Sequence, residues 1–92
     1  MIYDLELAPI VVRQLKEWAR SGQPKILLKV SHLLEEIKLH PTTGTGKPER
    51  LKGRLSNTWS RRLTKKDRIV YRIDGDKIIV YVLSVMGHYD DK

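Results

Sequence analysis

Three prolines partition the first half of this 92-residue chain and constrain its fold more than any other feature. Pro9 and Pro24 stand where helices can begin, because a first helical turn has no use for the N–H that proline lacks. Behind Pro9, Val11, Leu15 and Trp18 recur at i, i+4 and i+7, with Arg13, Lys16, Glu17 and Arg20 on the other side, and Ser21-Gly22 closes the segment. Behind Pro24, Ile26, Leu27, Val30, Leu33, Leu34 and Ile37 make a fuller apolar stripe as far as about His40, where Pro41 ends it. Only a few residues separate the two segments, so an antiparallel helical hairpin is predicted.

Around this hairpin the apolar period is two. Residues 2–7 alternate, with Ile2, Asp4 and Glu6 on one side and Tyr3, Leu5 and Leu7 on the other, as in a half-buried strand. Residues 42–58 are rich in Thr, Gly, Pro and Ser and read as a long loop, with a short strand near Glu49 to Leu51. Strands are predicted at about Trp59 to Leu63, Arg68 to Ile73 and Lys77 to Met86, with Asp74-Gly75 turning between the last two. Ile78 to Leu83 is apolar on both faces, which puts that strand in the interior of the sheet. The expected fold class is α+β: one domain over residues 1–92, with an N-terminal strand and helical hairpin packed on a small antiparallel sheet.

Charge is unevenly distributed along this frame. Residues 1–40 carry six Lys/Arg against five Asp/Glu, residues 41–72 ten against two, and residues 73–92 two against four. The middle third therefore supplies the whole net charge of +7, a footprint that suits a polyanion better than a merely soluble face of mixed sign. With no cysteine, a disulfide framework and a thiolate metal site are excluded. Acids at Asp4 and Glu6 occupy the region where a signal peptide would be basic and then apolar, and no apolar run approaches a membrane span. A soluble, cytoplasmic protein without membrane contact is the expectation.

Alternation puts Arg68, Val70 and Arg72 on one face of their strand, and puts Ser60 and Arg62 opposite Trp59, Arg61 and Leu63 on the neighbouring one. The only acids in the basic third are Glu49 and Asp67; the latter lies in a turn composition, Thr64-Lys65-Lys66-Asp67. A carboxylate at Glu49 would repel a polyanion, so binding alone does not motivate it. It suits a proton acceptor, or a salt bridge with Arg50 or a nearby lysine. His32 and His40 are most simply structural, and His88 follows the last strand beside Tyr89. RNA carries its own nucleophile in the 2′-hydroxyl, so cleavage needs a base, cations for the phosphate and an acid for the departing 5′-oxygen. Glu49, Arg68 and His88 could fill these roles, with Tyr89 stacking on a base. No residues show metal-ligand spacing; neither metal nor cofactor is expected.

The segments Gly46-Lys47-Pro48-Glu49-Arg50-Leu51-Lys52, Leu55-Ser56, Trp59-Ser60-Arg61-Arg62-Leu63-Thr64, Arg68-Ile69-Val70-Tyr71 and His88-Tyr89 together resemble the YoeB/Txe toxins of the RelE superfamily. The resemblance implies a RelE-like fold and a toxin of a type II toxin–antitoxin pair, an endoribonuclease that enters the A site of the 70S ribosome and cuts mRNA there. By the same resemblance Glu49 matches the general base, Arg68 the arginine on the scissile phosphate, His88 the general acid and Tyr89 the residue that orients the nucleotide. Lys52 and Arg62 match supporting phosphate contacts, and Lys47 and Arg61 are expected beside them as RNA-binding cations. The implied partners are mRNA on the ribosome and a YefM/Phd-type antitoxin whose disordered segment wraps the toxin, which itself can be a monomer or a homodimer. Many relatives end at or near the His-Tyr pair, whereas this chain continues as Asp90-Asp91-Lys92. Two other readings stay open: a non-catalytic RNA- or ribosome-binding module, and a toxin of the same fold that acts on DNA gyrase.

Overall fold

A computed structural model of the chain describes residues 1–53 and 56–87. Its elements in chain order are β1 (Asp4–Leu7), α1 (Pro9–Arg20), α2 (Pro24–Leu39), β2 (Glu49–Arg50), β3 (Thr58–Arg62), β4 (Arg68–Asp74) and β5 (Ile79–Ser84). Both helices start at their prolines. α1 stops where the Ser21 N–H turns back to the carbonyls of Glu17 and Trp18, its hydroxyl also caps Trp18, and Gly22 takes a left-handed φ of 75° to reverse the chain.

The strands form one sheet in the order β1-β5-β4-β3-β2. One face of it packs against the hairpin. Val11 and Trp18 of α1 and Val30, Leu33 and Ile37 of α2 meet Leu63, Ile69, Tyr71, Ile73, Val80, Val82 and Val85, all of them buried. Fully burying each aliphatic side chain of this size contributes about 1.5–3 kcal/mol, so this face sets the register of every strand it touches.

Three details depart from the sequence expectation. The α+β class holds, but the sheet is mixed, because β1 runs parallel to β5 with Asp4 opposite Ile79 and Leu7 opposite Val82. Everything between these strands acts as the crossover that parallel neighbours require. The turn after β4 is also longer than an Asp-Gly pair. Asp74 stays in the ladder opposite Ile79, its carboxylate accepts the N–H groups of Asp76 and Lys77, and residues 75–78 form the loop. It is Ile78, not Gly75, that adopts a left-handed φ, of 57°. Finally, the β4–β5 register skips Leu83, since Val70 pairs with Ser84 and Tyr71 with Val82. This bulge bends the end of β5 towards α1, where Gln14 Oε1 accepts the Val85 N–H at 2.7 Å and Trp18 Nε1 donates to the Val85 carbonyl at 2.8 Å.

Candidate active site

The outward face of the sheet is written in its pairing. Glu49 lies opposite Ser60, Ser60 opposite Val70, and Arg62 opposite Arg68. Side chains alternate along each strand, so Glu49, Ser60, Arg62 and Arg68 all leave the sheet on the side away from the helices. With Lys47 and Pro48 they line an open cleft of about 250 Å³. Lys52 belongs to an adjoining recess of about 240 Å³ that it shares with Glu49, Arg50 and Leu51. The structure thus brings Lys47, Glu49, Arg62 and Arg68 together, with Lys52 on the far side of Glu49.

Arg62 and Arg68 are a directly opposed pair of like charges, an arrangement that costs a sheet roughly 0.2–1 kcal/mol. Among the described residues no carboxylate stands within ion-pair distance of either, and Glu49 makes no ion pair there either. The salt-bridge reading of Glu49 therefore has no partner among the described residues. A bound phosphate would relieve the arginine repulsion, and a carboxylate beside it would be placed to accept a proton.

Gly46 sets the approach of the loop to the sheet. Its carbonyl accepts the Arg62 N–H at 2.7 Å, which extends the β3 ladder by one bond. A Cβ at Gly46 would come within 3.0 Å of the Arg62 carbonyl oxygen, and its φ of 87° lies in the region that side chains avoid. Lys47 follows at φ 51°, a conformation that costs a non-glycine residue about 1–3 kcal/mol. Pro48 then fixes the step into Glu49.

Arg61 corrects the sequence expectation. It was expected among the RNA-binding cations, yet its side chain is 0% exposed, on the helix-facing side of β3. All five guanidinium donors are used. Nε donates to the Tyr71 hydroxyl at 3.1 Å. One terminal nitrogen donates to Glu36 at 2.5 Å and to the Thr45 carbonyl at 3.2 Å. The other donates to the carbonyls of His40 and of Thr43, the latter at 2.8 Å. Tyr71 completes the cluster by donating to the Pro41 carbonyl at 2.6 Å. With no donor left and no surface exposed, Arg61 cannot touch a nucleic acid in this arrangement. Instead it ties residues 40–45 down, and so fixes the start of the segment that delivers Lys47 and Glu49.

The cluster shifts its own titrations. Desolvation pulls the Glu36 carboxyl upwards, but hydrogen bonds from the Thr45 N–H and hydroxyl, with the charge and hydrogen bond of Arg61, outweigh it and hold the group below its ordinary value of 4.5. Burial pushes the Tyr71 phenol up, against the hydrogen bond and charge of Arg61.

His88 and Tyr89 lie outside the described residues. The residue before them is anchored next to Arg68: the Gly87 N–H donates to Asp67 Oδ1 at 2.7 Å, and the Arg68 N–H donates to the Gly87 carbonyl at 3.0 Å. Asp67 Oδ2 accepts the Thr64 hydroxyl at 2.7 Å, so this turn acid ties Gly87 to the turn before β4. His32 and His40 are exposed, on α2 and at its end, away from the residues that line the cleft. Among the described residues no three His, Cys, Asp or Glu side chains are grouped to hold a metal ion, and no helix is long and apolar enough to cross a membrane.

Residues 11–89 match the family model described as the YoeB-like toxin of bacterial type II toxin–antitoxin systems. Toxin YoeB of Streptomyces coelicolor is 40% identical over 72 residues, which cover 78% of this chain and 82% of that one. Among solved structures, the YoeB/ParE toxin from Agrobacterium tumefaciens aligns with a TM-score of 0.85 and 32% identity, over 94% of this chain and 99% of that one. A chain of the heterotetrameric YoeB–YefM toxin–antitoxin complex from Staphylococcus aureus aligns at 0.79 and 28% identity, over 97% and 100%.

Proposed function

The chain belongs to the YoeB-like toxins of bacterial type II toxin–antitoxin systems, and on that premise we propose that it is an endoribonuclease that cuts mRNA in the ribosomal A site. The observation that carries this reading is the cleft in which Glu49, free of any ion pair among the described residues, shares a sheet face with the opposed arginines Arg62 and Arg68. Glu49 takes the proton of the 2′-hydroxyl, whose oxygen then attacks the adjacent phosphorus. Negative charge grows on the phosphoryl oxygens, and Arg68 with Arg62 stabilises it from positions already fixed by the β3–β4 ladder. The P–O5′ bond breaks, His88 supplies the proton to the leaving oxygen, and a 2′,3′-cyclic phosphate and a 5′-hydroxyl result. Tyr89 orients the nucleotide, while Lys47 and Lys52 hold flanking phosphates.

In this reading the partners are mRNA on the 70S ribosome and an antitoxin of the YefM type, the kind named in the related S. aureus complex. An acidic, disordered antitoxin segment complements the basic middle third of the chain. A non-catalytic RNA-binding module would not need Glu49, and a gyrase-directed toxin would need neither Glu49 nor the opposed arginines. The test is induction of the wild type, Glu49→Ala and Arg68→Ala in bacteria, with mapping of mRNA 5′ ends. New ends within codons should appear with the wild type and vanish in both variants. Growth arrest with intact mRNA and altered DNA topology would reject the reading in favour of gyrase.

A further inference from the structure

The outward face that carries the cleft continues beyond it. Along β4 the residues after Arg68 on that face are Val70 and Arg72, and β3 sets Ser60 opposite Val70 and Thr58 opposite Arg72. Arg72 lies four residue steps along the strand from Arg68, a span of about 13 Å. Thr58, Ser60 and Val70, on the same face between these longer side chains, are short and buried. At the far end β5 places Tyr81 opposite Arg72, and the Arg72 guanidinium carbon stands 4.7 Å from the centre of the Tyr81 ring.

A stacked Arg–Tyr pair is common enough to mean little by itself. Three further features give this one a use. Among the described residues Arg72 has no ion-pair partner: Asp74 and Asp76 line the same recess, but Asp74 turns Oδ1 to the N–H groups of Asp76 and Lys77. The acids on the same face are Asp74, two residues beyond Arg72 at the end of β4, Glu49 on β2, and Asp4 and Glu6 on β1, opposite Ile79 and Tyr81. On the β1 side Asp4 and Glu6 repel a polyanion, which leaves the β3–β4 line with Arg62, Arg68 and Arg72 as its cationic path. Lastly, stacking holds Arg72 in one place before any ligand arrives, which lowers the entropy lost on binding while leaving its charge intact.

We propose that Arg72, held by Tyr81, is a second subsite for the substrate RNA strand, about 13 Å along the sheet from the scissile phosphate, where it takes a flanking phosphate or stacks on a flanking base. The proposal rests on the ribonuclease reading above and adds a strand-length requirement to it.

Binding of non-cleavable 2′-O-methyl RNA, followed by fluorescence anisotropy at low salt, tests it. A dinucleotide is too short to reach both sites, whereas a strand of roughly eight nucleotides spans them. Arg72→Ala should weaken the longer strand about ten-fold, reduce its salt slope by about one and change the dinucleotide little. Arg72→Lys should restore the slope but not the full affinity, and Tyr81→Leu should fall between wild type and Arg72→Ala, with thermal melts confirming that each variant is folded. Equal losses on both lengths, or no loss on the longer strand, overturn the subsite. If the wild type binds no RNA at either length yet cleaves on programmed ribosomes, the subsite fails and the ribonuclease reading stands. If it does neither, both fail.

Discussion

Replacing Arg61 by alanine should be among the most damaging single changes in the chain. The substitution removes five donors at once and leaves Glu36 without its cation, while the Thr45 bonds to that carboxylate survive. Counted at about 1 kcal/mol each, the hydrogen bonds alone amount to roughly 5 kcal/mol. Water can reach the freed carbonyls in the exposed stretch 42–45, which lowers the cost, and breaking a buried ion pair by losing one partner is typically about 3–5 kcal/mol. The expected loss is therefore about 4 kcal/mol, a large share of the roughly 5–15 kcal/mol that holds a domain together. In thermal denaturation this corresponds to a fall in Tm of roughly 15–30 °C. Arg61→Lys keeps the charge but not the five-donor fork, and should lose about half as much. Urea titrations of the three proteins give the free energies directly. A loss below about 1 kcal/mol for Arg61→Ala at an unchanged m value would refute the account of the cluster.

Further expectations follow from the same geometry. Because the Glu36 carboxyl is held below 4.5 in the folded state, its contribution is fully present above that pH and is lost as pH falls through the lower folded value. Urea midpoints measured down an acid series should therefore decline less steeply below about pH 4.5 for Glu36→Gln than for the wild type; parallel curves would remove Glu36 as the source. Gly46→Ala should cost about 1–2 kcal/mol for the left-handed backbone alone, and should cut RNA cleavage by displacing Lys47 and Glu49, as read by chemical denaturation and single-turnover rates. Asp67→Ala frees Gly87 and should lower stability by only about 1 kcal/mol. Its cleavage rate should nonetheless fall by up to roughly 100-fold, because a small displacement of a catalytic group is enough for that; an unchanged rate would show that the clamp serves the fold alone.

How much of this the sequence displays depends on the range of the interaction concerned. Helix starts at Pro9 and Pro24 are local steric facts, and they appear in the structure where the prolines stand. Strand alternation likewise puts Arg62 and Arg68 on one face, and the ladder pairs them. The parallel partner of β1 is not legible, because period-two alternation says which side is buried and nothing about strand direction. The four-residue turn after Asp74 escapes for a related reason: the Asp74 carboxylate, rather than glycine's freedom, organises it. Arg61 is the instructive case. The alternation that sets it beside Trp59 and Leu63, on the core side, is a signal for a buried cation, yet its five polar partners come from α2 and its C-terminal end, β4 and the loop after Pro41, which no local pattern brings together. The clamp of Asp67 on Gly87 spans 20 residues and is hidden in the same way.

Cleavage at the Glu49 cleft should depend on the ribosome and on the Glu49 carboxylate. Single-turnover cleavage of a defined mRNA on purified 70S ribosomes, with the P site filled and the A site empty, tests it most directly, comparing the wild type with the isosteric Glu49→Gln. The wild type should make a ribosome-dependent cut in the A-site codon that leaves a 2′,3′-cyclic phosphate, and the variant should be at least roughly 100-fold slower, the usual worth of a general base. Equal rates for the two proteins, or intact mRNA with the wild type, would contradict it.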